Sequence, residues 1–225
     1  MNQGIVESRE GVTLLAAGPV SKRDIAASLA LAPCLVAVDG GADRALAAGL
    51  APAAVIGDMD SISAAAKARF QGVMHRVAEQ ESTDFGKALR HIRAPFVLGL
   101  GCLGGRLDHE LATLSALVQH ADVPCLLIGR QDIVFAAPPE LEIALRPGDR
   151  ISLFPMAPLR GESSGLRWPI DGIEFAPDGR VGTSNAATGP VRLRMAGPGM
   201  LVIVPRARLA QALAARLASI RRWGA

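Results

Sequence analysis

Five aspartates in the first half of the chain lie shortly after apolar segments or, for Asp84, at a predicted helix start. They are Asp39, Asp58, Asp60, Asp84 and Asp108, and the segments that precede them are separated by about one strand-helix unit each. In a parallel sheet, the loops that follow the strands emerge at the carboxyl edge, where open α/β folds bind ligands. We therefore expect these carboxylates to converge at one edge of a sheet.

Converging carboxylates repel one another and raise each other's pKa unless a cation lies among them. The segment VIGDMDSI separates Asp58 from Asp60 by one residue, and side chains at i and i+2 of an extended segment point the same way. Oxygen ligands without a companion His or Cys suit a hard cation such as Mg²⁺. The set of acids predicts a metal site, although any one of them alone could instead serve a helix N-terminus.

Glycines and an arginine accompany the acids in the same loops. DGGADR places Gly40 and Gly41 at a strand-to-helix turn, and GCLGGRLDH places Gly104 and Gly105 before Arg106. Bare backbone N–H groups and a guanidinium suit phosphate oxygens. The first such turn, AAGPVSKRD, matches neither a Walker loop nor a GxGxxG pattern. Together with the acids, these loops predict a site for Mg²⁺ and a nucleoside triphosphate.

The elements that must position these residues change in character along the chain. Up to about residue 137, apolar runs such as CLVAVD and FVLGLG alternate with helical patterns, which predicts a Rossmann-like α/β domain over residues 1–138 with a mainly parallel sheet. Short alternating runs divided by Pro and Gly then predict an all-β sandwich over 139–205. Apolar residues at helical spacing predict an amphipathic helix within 206–225.

Composition excludes several classes of protein. Half of the 225 residues are hydrophobic and 20% are charged, which is typical of a globular chain. Three widely spaced cysteines favour neither a disulfide framework nor a zinc site. With no apolar run long enough to cross a bilayer and no apolar signal core at the N-terminus, we expect a cytoplasmic protein without a membrane partner. Eight arginines and no acid follow Asp178, but without interleaved aromatics we expect a solvated or interface surface and no nucleic-acid partner.

Six motifs, in order, resemble those of the thiamin pyrophosphokinases. They are DGGADR, VIGDMDSI, EQESTDFGKAL, GGRLDHELATL, GLRWPI and GTSNAATG, and the resemblance spans roughly residues 12–204. It implies an N-terminal α/β domain, a C-terminal β-sandwich and a homodimer with the thiamin pocket at the subunit interface. The implied reaction is the transfer of pyrophosphate from ATP to thiamin with Mg²⁺, giving thiamin diphosphate and AMP.

The resemblance also implies roles for individual residues. It names Asp58, Asp60 and Asp84 as metal ligands, and these acids with Arg106 and Asp108 as the catalytic set. Along the nucleotide it places Asp39, Gly40, Gly41, Arg44, Lys87, Gly104, Gly105 and Arg106. In contact with thiamin it places Gln80, Trp168, Ser184 and Asn185.

Four departures from the family pattern keep alternatives open. Asp43 replaces a usual Asn, Met59 a common Phe, EQE the usual DQD, and Ala186 an acid that often follows the Ser-Asn pair in bacterial members. A pyrophosphokinase for another heterocyclic alcohol, such as a pterin, is one alternative. A catalytically inactive nucleotide- or thiamin-binding protein is the other. His109, beside Asp108, is expected to face away from the site.

Overall fold

A computed structural model describes residues 4–79, 81–219 and 223 of the chain. These residues form two compact units. The first unit comprises the described residues up to Ala116 with Leu127–Gly129, and the second comprises Leu117–Leu126 and the described residues from Arg130 onward. The domain bounds 1–138, 139–205 and 206–225 stay predictions. The boundary between the two compact units falls before residue 138, the predicted end of the first domain.

Parallel pairing organises the first unit. Its strands are β1 (Val6–Glu7), β2 (Val12–Leu15), β3 (Cys34–Val38), β4 (Ala54–Gly57), β5 (Met74–Arg76), β6 (Ile92–Arg93) and β7 (Val97–Leu100). Five of them form a parallel sheet in the order β7-β2-β3-β4-β5, and β1 pairs with β6. Strands β2, β4 and β7 are buried at every position, as expected of strands covered on both faces. The predicted α/β fold class is confirmed.

The helices of this part of the chain begin next to the predicted site loops. They are α1 (Lys22–Leu31), α2 (Gly41–Ala47), α3 (Ala64–Phe70), α4 (Asp84–His91) and α5 (Leu107–Gln119). Ser63 caps α3 by accepting a hydrogen bond from the backbone N–H of Ala66 at 3.2 Å. Thr83 caps α4 by accepting one from Gly86 at 3.1 Å. These caps satisfy N–H groups that a helix leaves unpaired and fix where the preceding loops end. Helix α5 and strand β8 (Cys125–Ile128) contain residues of both units.

The second unit is antiparallel. Its elements are β9 (Asp132–Ala136), β10 (Glu140–Ile143), β11 (Arg150–Pro155), β12 (Gly161–Leu166), β13 (Gly182–Met195), β14 (Met200–Pro205) and α6 (Leu209–Ala218). The strand order is β10-β13-β11-β14-β9, and β12 also pairs with β13. The long strand β13 pairs with β11 through its first residues and with β10 and β12 through its last. Among the residues described, no helix has both the length and the apolar character needed to cross a membrane.

Candidate functional site

Loops at the carboxyl ends of the parallel strands enclose a cleft of about 710 Å³ within the first unit. Acids from three different loops line it: Asp39, Asp58, Asp60 and Asp84. Four other residues that the sequence predicts at the nucleotide also line it: Gly40, Arg44, Gly105 and Arg106. The structure therefore brings eight of the predicted residues together at the edge where the strands end.

Three of these acids form the acid cluster, which is Asp39, Asp58 and Asp60. One carboxylate oxygen from each lies within 4.8 Å of the others. Burial raises the pKa of Asp39, and the carboxylates of Asp84 and Asp60 raise it further. Within the described part of the chain, the buried Oδ1 of Asp39 has no hydrogen-bond partner. Clustered carboxylates with an unsatisfied buried oxygen fit a divalent cation that prefers oxygen ligands.

A turn, and not an extended segment, brings Asp58 and Asp60 together. Met59 between them has a φ of 70° and is buried, and the N–H of Asp60 donates a hydrogen bond to Oδ1 of Asp58 at 3.2 Å. The left-handed region is uncommon for a residue other than glycine, so packing around Met59 must hold the turn. The prediction that Asp58 and Asp60 lie on an extended segment is therefore wrong, although the two carboxylates do approach each other.

Asp84 is paired with a buried lysine. The Nζ atom of Lys87 lies 2.9 Å from Oδ1 of Asp84 and 4.0 Å from Oδ2 of Asp58. Lys87 is only 1% exposed and is not among the residues that line the cleft. The family resemblance places this lysine along the nucleotide phosphates, whereas the structure places it behind the acids. The cause is its position in the middle of α4, which is buried at every residue from Phe85 to Leu89.

The two glycine pairs serve different purposes. Gly40 lines the cleft, but a Cβ on Gly41 would lie 1.9 Å from the carbonyl oxygen of Leu15. Gly41 therefore allows α2 to pack directly against the end of β2, and it does not line the cleft. Gly104 also lies off the cleft lining, where its N–H donates to Oε1 of Glu110 at 2.8 Å. Of the four glycines in the two predicted phosphate turns, only Gly40 and Gly105 line the cleft.

The cationic side chains of the cleft already have partners. Arg106 forms a fork with Asp108, with Nε to Oδ1 at 3.1 Å and Nη2 to Oδ2 at 2.6 Å, and this hydrogen bonding lowers the pKa of Asp108. Both side chains are largely exposed, and Asp108 is not among the residues that line the cleft. Arg44 donates from Nε to the carbonyl of Ala17 at 3.0 Å. An exposed fork of this kind can open when a phosphate competes for the guanidinium.

Sequence reasoning missed part of the lining. The first strand-helix turn, Ala16–Pro19, borders the cleft although it lacks a phosphate-loop pattern. The N–H of Gly18 donates to the carbonyl of Gly101 at 2.9 Å, which ties this turn to the loop after β7. His109 also lines the cleft, so the expectation that it faces away is wrong. The signal for Ala16–Pro19 was its place after a buried strand at the same edge.

The predicted thiamin residues that the structure describes lie in the second unit. Oδ1 of Asn185 accepts from the backbone N–H of Trp168 at 3.2 Å, and Nδ2 of Asn185 donates to the carbonyl of Trp168 at 2.6 Å. Ser184 has a φ of 59° beside this pair. The Trp168 ring is 53% exposed, with the guanidinium carbon of Arg167 4.8 Å from its centroid. Gln80 lies outside the described residues.

Residues 26–127, which contain the acid cluster, match the family model of the thiamin pyrophosphokinase catalytic domain. The predicted resemblance to thiamin pyrophosphokinases is confirmed. Thiamine pyrophosphokinase 1 of Oryza sativa is 29% identical over 154 residues, which are 60% of this chain and 58% of that protein. Thiamin pyrophosphokinase 1 of Caenorhabditis elegans is 25% identical over 154 residues, 61% of this chain and 63% of that protein. The matched part of the chain thus spans less than two thirds of these curated relatives.

Solved structures of thiamin pyrophosphokinases share the fold. The enzyme from Candida albicans superimposes with a TM-score of 0.73 and 16% identity, covering 90% of this chain and 93% of that one. The thiamin pyrophosphokinase from Geobacillus thermodenitrificans gives a TM-score of 0.68 and 21% identity, covering 87% and 96%. At these identities the likeness shows the fold alone.

Proposed function

We propose that the chain is an enzyme that transfers the pyrophosphoryl group of ATP to thiamin, giving thiamin diphosphate and AMP. The observation that supports this most strongly is the acid cluster at the cleft with the guanidinium of Arg106 beside it. Carboxylates and a flexible cation at the carboxyl edge of a parallel sheet are suited to a nucleoside triphosphate and its metal. The cluster and the arginine both fall inside the matched catalytic-domain segment.

The donor set of the acid cluster fits Mg²⁺. All its ligand atoms are carboxylate oxygens, and the buried Oδ1 of Asp39 lacks a hydrogen-bond partner among the described residues. We propose that Asp58 and Asp60 hold the ion with Asp39, and that Asp84, which the resemblance names as a ligand, completes the acidic wall of the cleft. When bound, Mg²⁺ would neutralise charge on the phosphate oxygens of ATP.

The other residues of the cleft would bind and orient the phosphates. Arg106 would turn its fork from Asp108 to the phosphate oxygens, a geometry that guanidinium groups favour. Arg44 and the N–H groups at Gly40 and Gly105 would lie along the same chain of phosphates. The Asp108 carboxylate released by this exchange would accept a hydrogen bond from the thiamin hydroxyl and orient it.

In the reaction we propose, the hydroxyl oxygen of thiamin forms a bond to the β-phosphorus of ATP. The bond from that phosphorus to the oxygen bridging the α- and β-phosphates breaks, and AMP leaves with the oxygen and its charge. The hydroxyl proton passes to Asp108 or to water. A loose transition state demands little activation of the nucleophile. Turning Arg106 to the phosphates would also remove the hydrogen bond that is the main cause of the lowered pKa of Asp108.

The finer assignments are also proposals. We infer that the Trp168 ring stacks on thiamin and that Asn185, Ser184 and Gln80 complete its pocket. The exposed ring of Trp168 and its fixed backbone support the first of these. From the sequence and its resemblance we also propose a homodimer with the thiamin site at the subunit interface. We likewise propose a Rossmann-like domain followed by a β-sandwich, and a cytoplasmic location.

A product assay tests the proposal. The purified protein is incubated with ATP, MgCl2 and thiamin, and we expect thiamin diphosphate and AMP in equal amounts. Thiamin monophosphate with ADP would retain the site but overturn the reaction. Faster AMP release with a pterin alcohol than with thiamin would favour the other substrate class. ATP binding with no AMP from any alcohol would favour a non-catalytic binding protein. The matched control for substitutions of the cleft acids is Asp178→Asn, which removes an exposed acid of the second unit.

A further inference from the structure

Lys87 is a charged side chain buried as deeply as the apolar core. It is 1% exposed, and its neighbours on α4 from Phe85 to Leu89 are buried as well. Its Nζ atom contacts Oδ1 of Asp84 at 2.9 Å and lies 4.0 Å from Oδ2 of Asp58. The two acids come from different loops, one after β4 and one at the start of α4. A single ammonium therefore links two walls of the cleft.

The position of this ammonium decides what it can contact. Asp58 and Asp84 line the cleft, whereas Lys87 does not. A phosphate in the cleft would meet the carboxylates before it met the ammonium. Lysine is almost never fully buried unless it is paired, because an unpaired charge in the interior is strongly unfavourable. The carboxylates thus stabilise the lysine as much as the lysine stabilises them.

The charge balance of the cleft explains why such a group is useful. Four carboxylates, those of Asp39, Asp58, Asp60 and Asp84, line one cleft. Burial is the main cause of the raised pKa of Asp39, and repulsion from Asp84 and Asp60 raises it further. A fixed positive charge behind Asp58 and Asp84 offsets part of this repulsion without occupying the space in front of them.

We infer that Lys87 is a positioning residue, an internal counter-ion that holds Asp58 and Asp84 in place for a metal and does not itself bind phosphate. This inference rests on the proposed function only in that Asp58 holds the ion. It differs from the role along the nucleotide phosphates that the family resemblance implies for this lysine. The distinction can be tested because removing Lys87 has different consequences in the two cases. Loss of a phosphate ligand would raise the KM for ATP, whereas loss of a counter-ion would lower Tm in the absence of metal.

The test compares Lys87→Met with wild type and with Lys22→Met, which removes an exposed lysine at the start of α1. Thermal unfolding of each protein is followed in EDTA and again with MgCl2 alone. We expect Lys87→Met to lose roughly 6 to 12 °C in Tm without metal, because two half-buried carboxylates lose their partner. We expect MgCl2 to raise its Tm by more than that of wild type, because the divalent ion replaces the missing positive charge. Lys22→Met should match wild type in both conditions.

Two results would overturn the inference. A Tm unchanged in EDTA, together with a KM for ATP raised more than about tenfold, would make Lys87 a phosphate ligand. An equal loss of Tm with and without MgCl2 would make it a core residue that is independent of the metal.

If Lys87→Met does not fold, the double variant Asp84→Asn with Lys87→Met provides the test. Removing both members of the pair should give a folded protein with a measurable thermal transition, which Lys87→Met alone would then lack. A double variant that also fails to fold would contradict the inference. The Tm measurements are made without ATP turnover, which only the KM for ATP requires. A protein that forms no thiamin diphosphate but shows the expected Tm pattern would refute the proposed reaction and leave the role of Lys87 intact.

Discussion

Replacing Gly41 by alanine tests whether this glycine serves packing or phosphate binding. A Cβ at this position would lie 1.9 Å from the carbonyl oxygen of Leu15, 2.8 Å from its carbonyl carbon and 3.1 Å from Cα of Ala16. These are backbone atoms of the last residue of β2 and of the residue that follows it, so no side-chain rotation can relieve the contact. To restore even 3.0 Å to that oxygen, the start of α2 must move away from β2 by at least 1.1 Å.

The expected cost is large for a single methyl group. Overpacking against a rigid backbone costs about 1–3 kcal/mol and at times more, and the close contact in Gly41→Ala places it at about 3 kcal/mol. The better helix propensity of alanine offsets up to about 1 kcal/mol of this loss in stability. For a chain of this size the net loss of about 2 kcal/mol corresponds to a fall in Tm of roughly 4–8 °C. Because the turn that contains Asp39 moves with α2, affinity for Mg²⁺ should fall as well.

The matched control is Gly40→Ala. A Cβ on Gly40 would lie 3.2 Å from Cβ of Ala17 and 3.4 Å from the carbonyl of Ser61, which small shifts can accommodate. Differential scanning calorimetry of both variants in EDTA should show a clear loss of Tm for Gly41→Ala and little change for Gly40→Ala. Equal Tm values for the two variants would refute the packing argument.

Three other substitutions probe the electrostatics of the first unit. Folding raises the pKa of Asp39, so its ionised form destabilises the metal-free protein at any pH above the ordinary aspartate pKa. In EDTA, Asp39→Asn should therefore raise Tm at pH 7, and this gain should disappear below about pH 3.8. The same variant should show no stabilisation by MgCl2. Hydrogen bonds from Ser82, Arg90 and the backbone N–H of Glu81 lower the pKa of Glu79 to about 2. The ionised Glu79 side chain therefore stabilises the fold fully above pH 4.5, and this stabilisation disappears as the pH falls through about 2. The Tm difference between Glu79→Gln and wild type should therefore shrink over that interval. Asp43 accepts hydrogen bonds from the N–H and hydroxyl of Ser63, so Asp43→Ala should cost about 1 kcal/mol in urea unfolding and weaken Mg²⁺ binding measured by calorimetry.

The convergence of the acids could be predicted because it depends on local patterns alone. Asp39 follows β3 and Asp58 follows β4, and the parallel order of the strands brings both to one edge. Buried apolar runs alternating with helical patterns were sufficient to predict those strands. The fold class and the location of the acid cluster follow from the same reasoning.

Contacts between distant segments determine what the sequence did not reveal. The burial of Lys87 depends on how α4 packs, and a lysine near two acids looks the same in sequence whether it faces solvent or the core. The left-handed turn at Met59 depends on the burial of its side chain. Gly41 looks like a phosphate-loop glycine until the carbonyl of Leu15 is placed beside it. Each is a tertiary effect that local propensity does not determine.

The most direct test of the account is the rate at which wild type and Asp58→Asn form AMP and thiamin diphosphate from ATP and thiamin at saturating MgCl2. The wild-type protein should form the two products in equal amounts. The Asp58→Asn variant should be slower by at least about 100-fold, because the acid cluster loses the carboxylate of Asp58, which also lies next to the Lys87 ammonium. Near-normal turnover by Asp58→Asn would contradict the proposed metal site.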